Sequence, residues 1–128
     1  VGFDQDPAML AIAARNAERA GVRDATAWRQ VRWPATSEIV GALPAGPGLV
    51  VVNPPYGRRL SDEGRAAALV TMIGKQLRAH FPGWRAGVLL ADARWADRLG
   101  LPLEQSLSLQ NGGLRVTYVV ADVPVRTT

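Results

Sequence analysis

The chain of 128 residues carries 15 lysines and arginines against 11 aspartates and glutamates, which gives a formal net charge of +4 and an isoelectric point near 10.6. This length provides for one domain with a genuine core and for little else. The absence of cysteine excludes disulfides, thiolate zinc sites and cysteine nucleophiles. No segment resembles a signal peptide or an apolar membrane span, so a cytoplasmic protein without membrane contact is the default expectation.

The first predicted elements are a strand and a helix. Residues 1–4 are typical of the end of a strand. Asp6 followed by Pro7 predicts a helix start, because aspartate caps helix N-termini and proline suits the first helical position. We expect the helix to run to about Ala20, since Gly21 can adopt the left-handed conformation that ends a helix. Its apolar stripe comprises Met9, Ile12, Ala13 and Ala17.

The remaining elements alternate between strands and helices and end in a hairpin. Asn-Gly between alternating apolar residues is a strong hairpin signal, so we expect residues 103–110 to pair with Leu114–Asp122 through the turn 111–113. The elements before the hairpin are predicted as a strand at 25–31, a short helix at 36–42, a strand at Leu49–Val52, a helix at Glu63–His80, a strand at 86–91 and a short helix at 94–99. On the helix Glu63–His80 the apolar face comprises Ala67, Val70, Ile73, Gly74 and Leu77.

The tetrapeptide Asn53-Pro54-Pro55-Tyr56 is the most informative motif of the chain. It follows the β-branched run Leu49–Val52, which is typical of a buried central strand in a parallel sheet, and ligands bind beyond the carboxyl ends of such strands. The two prolines end the strand and stiffen the turn. Asn53 and Pro54 can then hold two oxygen acceptors in place beside the ring of Tyr56, which suits a planar base with an exocyclic amino group. The alternative is an ordinary turn without chemistry.

Together with residues 2–7 and 14–22, the run at 53–60 resembles class I S-adenosylmethionine-dependent methyltransferases. Within that class the chain is most similar to the THUMP-associated RNA guanine-N2 methyltransferases, and the stretch 81–84 and the turn 111–114 resemble their ribosomal branch. The resemblance implies a Rossmann-like α/β sheet with a C-terminal antiparallel hairpin. It also implies methyl transfer from S-adenosylmethionine to the exocyclic amine of an RNA base, with N2 of guanine in ribosomal RNA favoured over transfer RNA.

Each candidate site residue has an expected role, and the resemblance supplies that of Asp4. Asp4 matches the acidic residue that binds the cofactor ribose, since a carboxylate can accept from two hydroxyls at once. Asn53 and Pro54 would orient the amine, and Tyr56 would hold the base. Arg58 and Arg59 follow this turn and are candidates for RNA phosphate contact, with a solvated loop as an equal alternative. The sequence contains no metal-ligand cluster.

The chain departs from the family pattern at two places. The family's first strand and glycine-rich turn would precede Val1, so residues 1–128 are expected to be the latter part of a catalytic domain, with two open strand edges and a THUMP-type domain upstream. The acidic residue that meets the adenine amino group should follow the third family strand, which is the strand predicted at 25–31. Val31 and Arg32 stand there instead.

Other interpretations stay open. The Asn-Pro-Pro-Tyr motif is shared with enzymes that methylate N6 of adenine in DNA or RNA. A noncatalytic RNA-binding module derived from a methyltransferase would also fit the missing cofactor loop. The basic residues include a single lysine, Lys75, and arginine suits RNA phosphates, but genomic base composition would produce the same bias. His80 and the four tryptophans are expected to be structural.

Overall fold

The computed structural model describes residues 1–33, 36–55 and 63–125, so Tyr56, Arg58 and Arg59 lie outside the described residues. The described chain divides into two compact units, Val1–Ala45 and Gly46–Thr128. The α-helices are α1 (Pro7–Arg19), α2 (Thr36–Gly41) and α3 (Glu63–His80), and the 3₁₀ helices are η1 (Arg23–Ala25) and η2 (Ala93–Leu99). The strands are β1 (Gly2–Asp4), β2 (Trp28–Gln30), β3 (Leu49–Val52), β4 (Arg85–Leu90), β5 (Leu103–Asn111) and β6 (Leu114–Asp122). The predicted α/β alternation is confirmed.

The first unit consists of a two-stranded parallel sheet and the helix that connects its strands. β1 and β2 pair in parallel, with Asp4 opposite Gln30. The predicted start of α1 is confirmed, because the Asp6 side chain accepts a hydrogen bond of 2.8 Å from the Ala8 N–H. Its predicted end is confirmed as well, since Gly21 has a φ of 70°, a conformation that costs glycine little.

One expectation for this unit is wrong in its bounds. The strand predicted at 25–31 covers only Trp28–Gln30, because Arg23–Ala25 closes a 3₁₀ turn instead. On the apolar stripe of α1, the side chains of Met9 and Ile12 are 46% and 41% exposed, and Ala17 is the one buried residue of the helix. A two-stranded sheet is too narrow to cover the whole stripe of a 13-residue helix.

The second unit consists of a four-stranded sheet in the order β3-β4-β6-β5. β3 and β4 are parallel, whereas β6 pairs antiparallel with both β4 and β5. The predicted apolar face of α3 is confirmed, since all five of its residues are buried. The core is completed by Val88 and Leu90 from β4, Val119 and Ala121 from β6, Phe81 and Leu99.

The 3₁₀ helix η2 packs tightly against α3. A Cβ at Gly74 would overlap the backbone of Leu99, so only glycine allows this approach. Arg78, one turn further along α3, donates hydrogen bonds to the carbonyl oxygens of Leu99 and Gly100. The segment that follows β4 is therefore held in place by α3.

The strand before the motif is an edge strand, which corrects the expectation of a buried central one. Among the described strands β3 pairs only with β4, and the side chains of Leu49 and Val51 are 60% and 59% exposed. β1 likewise pairs only with β2 among the described strands. β1 and β3 thus each have one edge without a strand partner among the described residues, in line with the two open strand edges expected from the sequence.

The C-terminal hairpin is confirmed, with a turn one residue shorter than the predicted turn 111–113. Asn111 is the last residue of β5 and pairs with Leu114 of β6. The two central turn residues are Gly112 and Gly113, with φ values of 57° and 82°, as a type I′ turn requires. Among the described residues, no helix is long and apolar enough to cross a membrane.

Candidate active site

The motif begins where β3 ends. Val52 pairs with Val88 of β4, and Asn53 is the next residue. Its side chain is exposed, whereas Pro54 is buried and Pro55 is exposed. Because neither proline has an N–H for the ladder, the strand cannot continue. Asn53 thus presents an accessible amide at the carboxyl edge of a parallel strand pair, and the next residue, Pro54, is buried.

The neighbouring strand places a charged pair at the same edge. β4 runs parallel to β3 and ends at Leu90, so Asp92 and Arg94 leave the sheet on the side of Asn53. Asp92 caps η2 by accepting from the Arg94 N–H at 2.9 Å. The Arg94 guanidinium contacts the Asp92 carboxylate, with Nη2 2.5 Å from Oδ2. The Arg94 side chain and then its backbone N–H hold the pKa of the Asp92 carboxyl below its ordinary value.

Sequence reasoning assigned no role to this pair. The signal was present, because aspartate two residues before Arg94 at a strand-to-helix junction is a typical N-cap pattern. The position of the pair depends on the parallel pairing of β3 with β4, which cannot be read from residues 91–94 alone.

Asp4, the predicted ribose-binding residue, ends β1 in the first unit. Its Oδ1 accepts a hydrogen bond of 2.8 Å from the Asp6 N–H, which fixes the carboxylate against the start of α1. Oδ2 has no hydrogen-bond partner within residues 1–33, 36–55 and 63–125. A carboxylate carries about four acceptor positions, so Asp4 can still accept from hydroxyl groups.

The carboxyl end of β2 lies beside the carboxyl end of β1, where Asp4 is the last residue. The Val31 N–H donates to the Asp4 carbonyl oxygen at 3.0 Å, and the chain then turns at Trp33. Trp33 Nε1 is buried without a hydrogen-bond partner in the described part of the chain. The tryptophans were expected to be structural, so this unsatisfied donor was missed, and the sequence carries no signal that could have revealed it.

The predicted site residues fall in both units. Asp4 belongs to Val1–Ala45, and Asn53 and Pro54 belong to Gly46–Thr128. Tyr56, Arg58 and Arg59 lie outside the described residues, so their roles stay predictions. His80 is exposed at the end of α3. In the described part of the chain, no group of three histidine or acidic side chains could hold a metal ion.

Solved structures define the class to which this fold belongs. The chain is similar to a candidate methyltransferase solved as a complex with SAH, with a TM-score of 0.74 and 25% identity over 100% of this chain and 32% of the other. It is also similar to a predicted N6-adenine-specific DNA methylase from Listeria monocytogenes, with a TM-score of 0.67 and 27% identity over 96% and 30% of the two chains. The fold is that of the methyltransferases.

Sequence comparison defines the family. Residues 1–119 match UPF0020, described as the RMKL-like methyltransferase domain, and the chain belongs to this family. It is 33% identical to the ribosomal RNA large subunit methyltransferase K/L of Chromohalobacter salexigens, over 99% of this chain and 17% of that protein. The protein of the same name from Alcanivorax borkumensis is 40% identical, over 87% and 15% of the two chains. The chain therefore spans about a sixth of the length of these relatives.

Proposed function

We propose that this chain forms part of the catalytic domain of an S-adenosylmethionine-dependent methyltransferase that modifies N2 of guanine in ribosomal RNA. The observation that carries the proposal is the exposed amide of Asn53 at the carboxyl end of β3, which is followed by the buried Pro54. Membership in the methyltransferase family and the names of the relatives support the reaction class and the RNA.

The residues of the chain act mainly by orienting the amine. An exocyclic amine is a poor nucleophile because its lone pair is conjugated with the ring. When its two N–H groups donate to the Asn53 oxygen and the Pro54 carbonyl, the nitrogen moves toward tetrahedral geometry and its lone pair becomes available. Positioning and fixed dipoles can supply most of such a rate effect. After the methyl group has been transferred, the nitrogen would carry a positive charge and its proton would be acidic, so no strong general base is required to remove it.

The residues present fit S-adenosylmethionine, which would supply an electrophilic methyl group. Asp4 has a carboxylate oxygen, Oδ2, without a partner among the described residues, which can accept from ribose hydroxyls. Trp33 has a buried donor without an acceptor in that same part of the chain. The similar structure that contains SAH supports this choice of cofactor.

The residues around the motif complete the proposed site. Tyr56 would hold the target base, which is flipped out of its stack if it starts out paired. Arg58 and Arg59 would contact the RNA backbone beside it. We further propose that residues 1–128 belong to a longer cytoplasmic protein with an upstream THUMP-type domain, in line with the share of the relatives' length that the chain spans.

The second candidate function is methylation of N6 of adenine. The same two acceptors would serve an adenine amine, and a similar solved structure is described as an N6-adenine-specific DNA methylase. Methylation of guanine-only and adenine-only RNA and DNA substrates separates the two reactions. A noncatalytic RNA-binding module, the remaining alternative, would bind no cofactor in calorimetry.

The test uses the full-length protein and the variant Asn53→Ala. Loss of one fixed polar partner in an active site lowers turnover about a hundred- to a thousandfold, so methyl transfer to guanine-containing ribosomal RNA should be nearly abolished. Cofactor affinity should stay within a few fold, because Asn53 faces the substrate amine. Asn16→Ala on the exposed side of α1 is the matched control and should keep full activity. Near-normal turnover of Asn53→Ala would remove the proposed mechanism.

A further inference from the structure

The C-terminal hairpin projects beyond the sheet at the edge where the motif begins. Leu90 is the last residue of β4 and pairs with Thr117 of β6. Past this pair the hairpin continues through three further residue pairs to its glycine turn, and three pairs span about 10 Å along a strand. Because β3 runs parallel to β4, the projection lies at the carboxyl edge of both strands, where Asn53 leaves β3.

Residues 109–115 of this projection, the hairpin tip, have one apolar face and one polar face. Residues directly opposite each other in an antiparallel pair point to the same face, and successive residues alternate between faces. Leu109 and Leu114 therefore share one face, and their side chains are 44% and 50% exposed. Gln110 and Arg115 pair with each other and share the opposite face, where both are exposed.

The hairpin tip is not packed against the described part of the chain. All of its residues are exposed, and a Cβ at Gly112 or Gly113 would meet nothing within 4 Å. The Arg115 guanidinium makes no ion pair with residues 1–33, 36–55 and 63–125. Exposed apolar surface beside an unpaired cation indicates a binding site for a partner.

The charge of the hairpin and its place in the fold favour RNA as that partner. No residue from 105 to 121 is acidic, and Arg115 is the one basic residue in this stretch, so its charge attracts a polyanion. The substrate of the proposed reaction must approach the carboxyl edge to meet Asn53, and the hairpin tip stands at this edge two strands away. Strand spacing and rise place the tip about 15–20 Å from Asn53.

We propose that the hairpin tip contacts ribosomal RNA beside the target guanine, with Leu109 and Leu114 packed against bases and Arg115 on a backbone phosphate. This inference rests on the proposed function. Leucine is among the apolar side chains that insert between the base steps of nucleic acids, and arginine binds phosphate through two parallel hydrogen bonds. At its distance from Asn53, the hairpin tip contacts nucleotides near the target and leaves the target base to the motif.

Photo-crosslinking of the full-length protein tests the contact directly. Leu114 is replaced by p-benzoylphenylalanine, and the protein is irradiated with unmodified large-subunit ribosomal RNA transcribed in vitro. Mass spectrometry of ribonuclease fragments locates both the crosslink and the guanine that the parent protein methylates. We expect the crosslink within a few nucleotides of that guanine. Leu103 at the opposite end of β5 is the matched control position, and p-benzoylphenylalanine there should give no crosslink to RNA.

Two substitutions measure what each face of the hairpin tip contributes. Leu114→Ala should weaken RNA binding about tenfold, because it removes much of an apolar side chain from the contact. Arg115→Gln should also weaken binding and should flatten its salt dependence by about one unit of slope. Neither change should alter SAH affinity or the unfolding temperature, since both side chains are exposed. Leu103→Ala is the matched control and should bind RNA like the parent.

The results separate this inference from the proposed function. A Leu114 crosslink that joins another part of the protein, or RNA far from the methylated guanine, overturns the inference, as does the absence of a crosslink. RNA affinity like the parent's in both Leu114→Ala and Arg115→Gln overturns it as well. In each of these cases methylation of guanine by the parent leaves the proposed function intact. If the hairpin tip crosslinks to RNA but the parent transfers no methyl group to guanine, the proposed function is wrong and the tip remains an RNA contact.

Discussion

The contact between α3 and η2 leads to a quantitative prediction for Gly74→Ala. In an ordinary helix this change stabilises the protein by about 1 kcal/mol, because alanine is the better helix former. Here the new Cβ would lie 2.6 Å from the carbonyl carbon of Leu99 and 2.7 Å from its Cα, both well inside van der Waals contact. Leu99 is fully buried, and the atoms involved are backbone that cannot rotate aside.

Overpacking of a core lowers the free energy of unfolding by about 1–3 kcal/mol. A clash with backbone atoms belongs at the upper end of this range, because they cannot rotate aside. After subtraction of the helix gain, Gly74→Ala should lower the free energy of unfolding by about 2 kcal/mol. Denaturant unfolding of the full-length protein measures the loss, and hydrogen exchange in α3 and β4 assigns it to the second unit.

Gly41→Ala in α2 is the control for this prediction, because a Cβ there would meet nothing within 4 Å. It should leave stability unchanged or raise it slightly. If Gly74→Ala is as stable as the parent, the contact between α3 and η2 accommodates a Cβ without cost. The predicted loss of stability would then be refuted.

Two further predictions concern the binding residues. Asp4→Ala should weaken S-adenosylmethionine binding by about 1.5–3 kcal/mol, the range for lost hydrogen bonds to a charged group. Asp6→Ala, which removes only the helix cap, should lower stability and spare affinity; an unchanged cofactor dissociation constant for Asp4→Ala would make Asp4 a capping residue. Replacing Arg58 and Arg59 with glutamine should weaken RNA binding similarly across sequences and flatten its salt dependence by about one unit of slope per lost phosphate contact. Cofactor binding should not change, and an RNA affinity and salt slope like the parent's would shift RNA contact to other residues.

Local signals were enough to predict most elements. The helix α3 was predicted with its observed bounds because its apolar face repeats at helical spacing and Pro82 follows its end. The start of α1 follows from Asp6 and Pro7, whose capping chemistry acts within one turn. The strand β3 also had its predicted bounds. In these segments the residues that decide the conformation are near neighbours in sequence.

The same local reasoning failed where burial depends on distant partners. The run Leu49–Val52 was interpreted as a central strand, because β-branched residues suit a strand covered on both sides. Its exposure is decided by pairing, and within the part of the chain that the structure describes β3 has β4 as its one partner strand. Likewise, the apolar periodicity of α1 indicates which side chains share a face, but it does not indicate whether anything covers Met9 and Ile12.

For the candidate site, the sequence by itself determined the chemistry of the motif: an amide, two prolines and an acidic residue at the ends of predicted strands. Only the tertiary structure decided what lies beside them. The parallel register of β3 and β4 brings the Asp92–Arg94 pair to the edge where Asn53 leaves the sheet. The packing around Trp33 leaves its donor without an acceptor among the described residues. The register joins segments more than 30 residues apart, as in the pair Leu49 and Arg85, so residue spacing does not encode it.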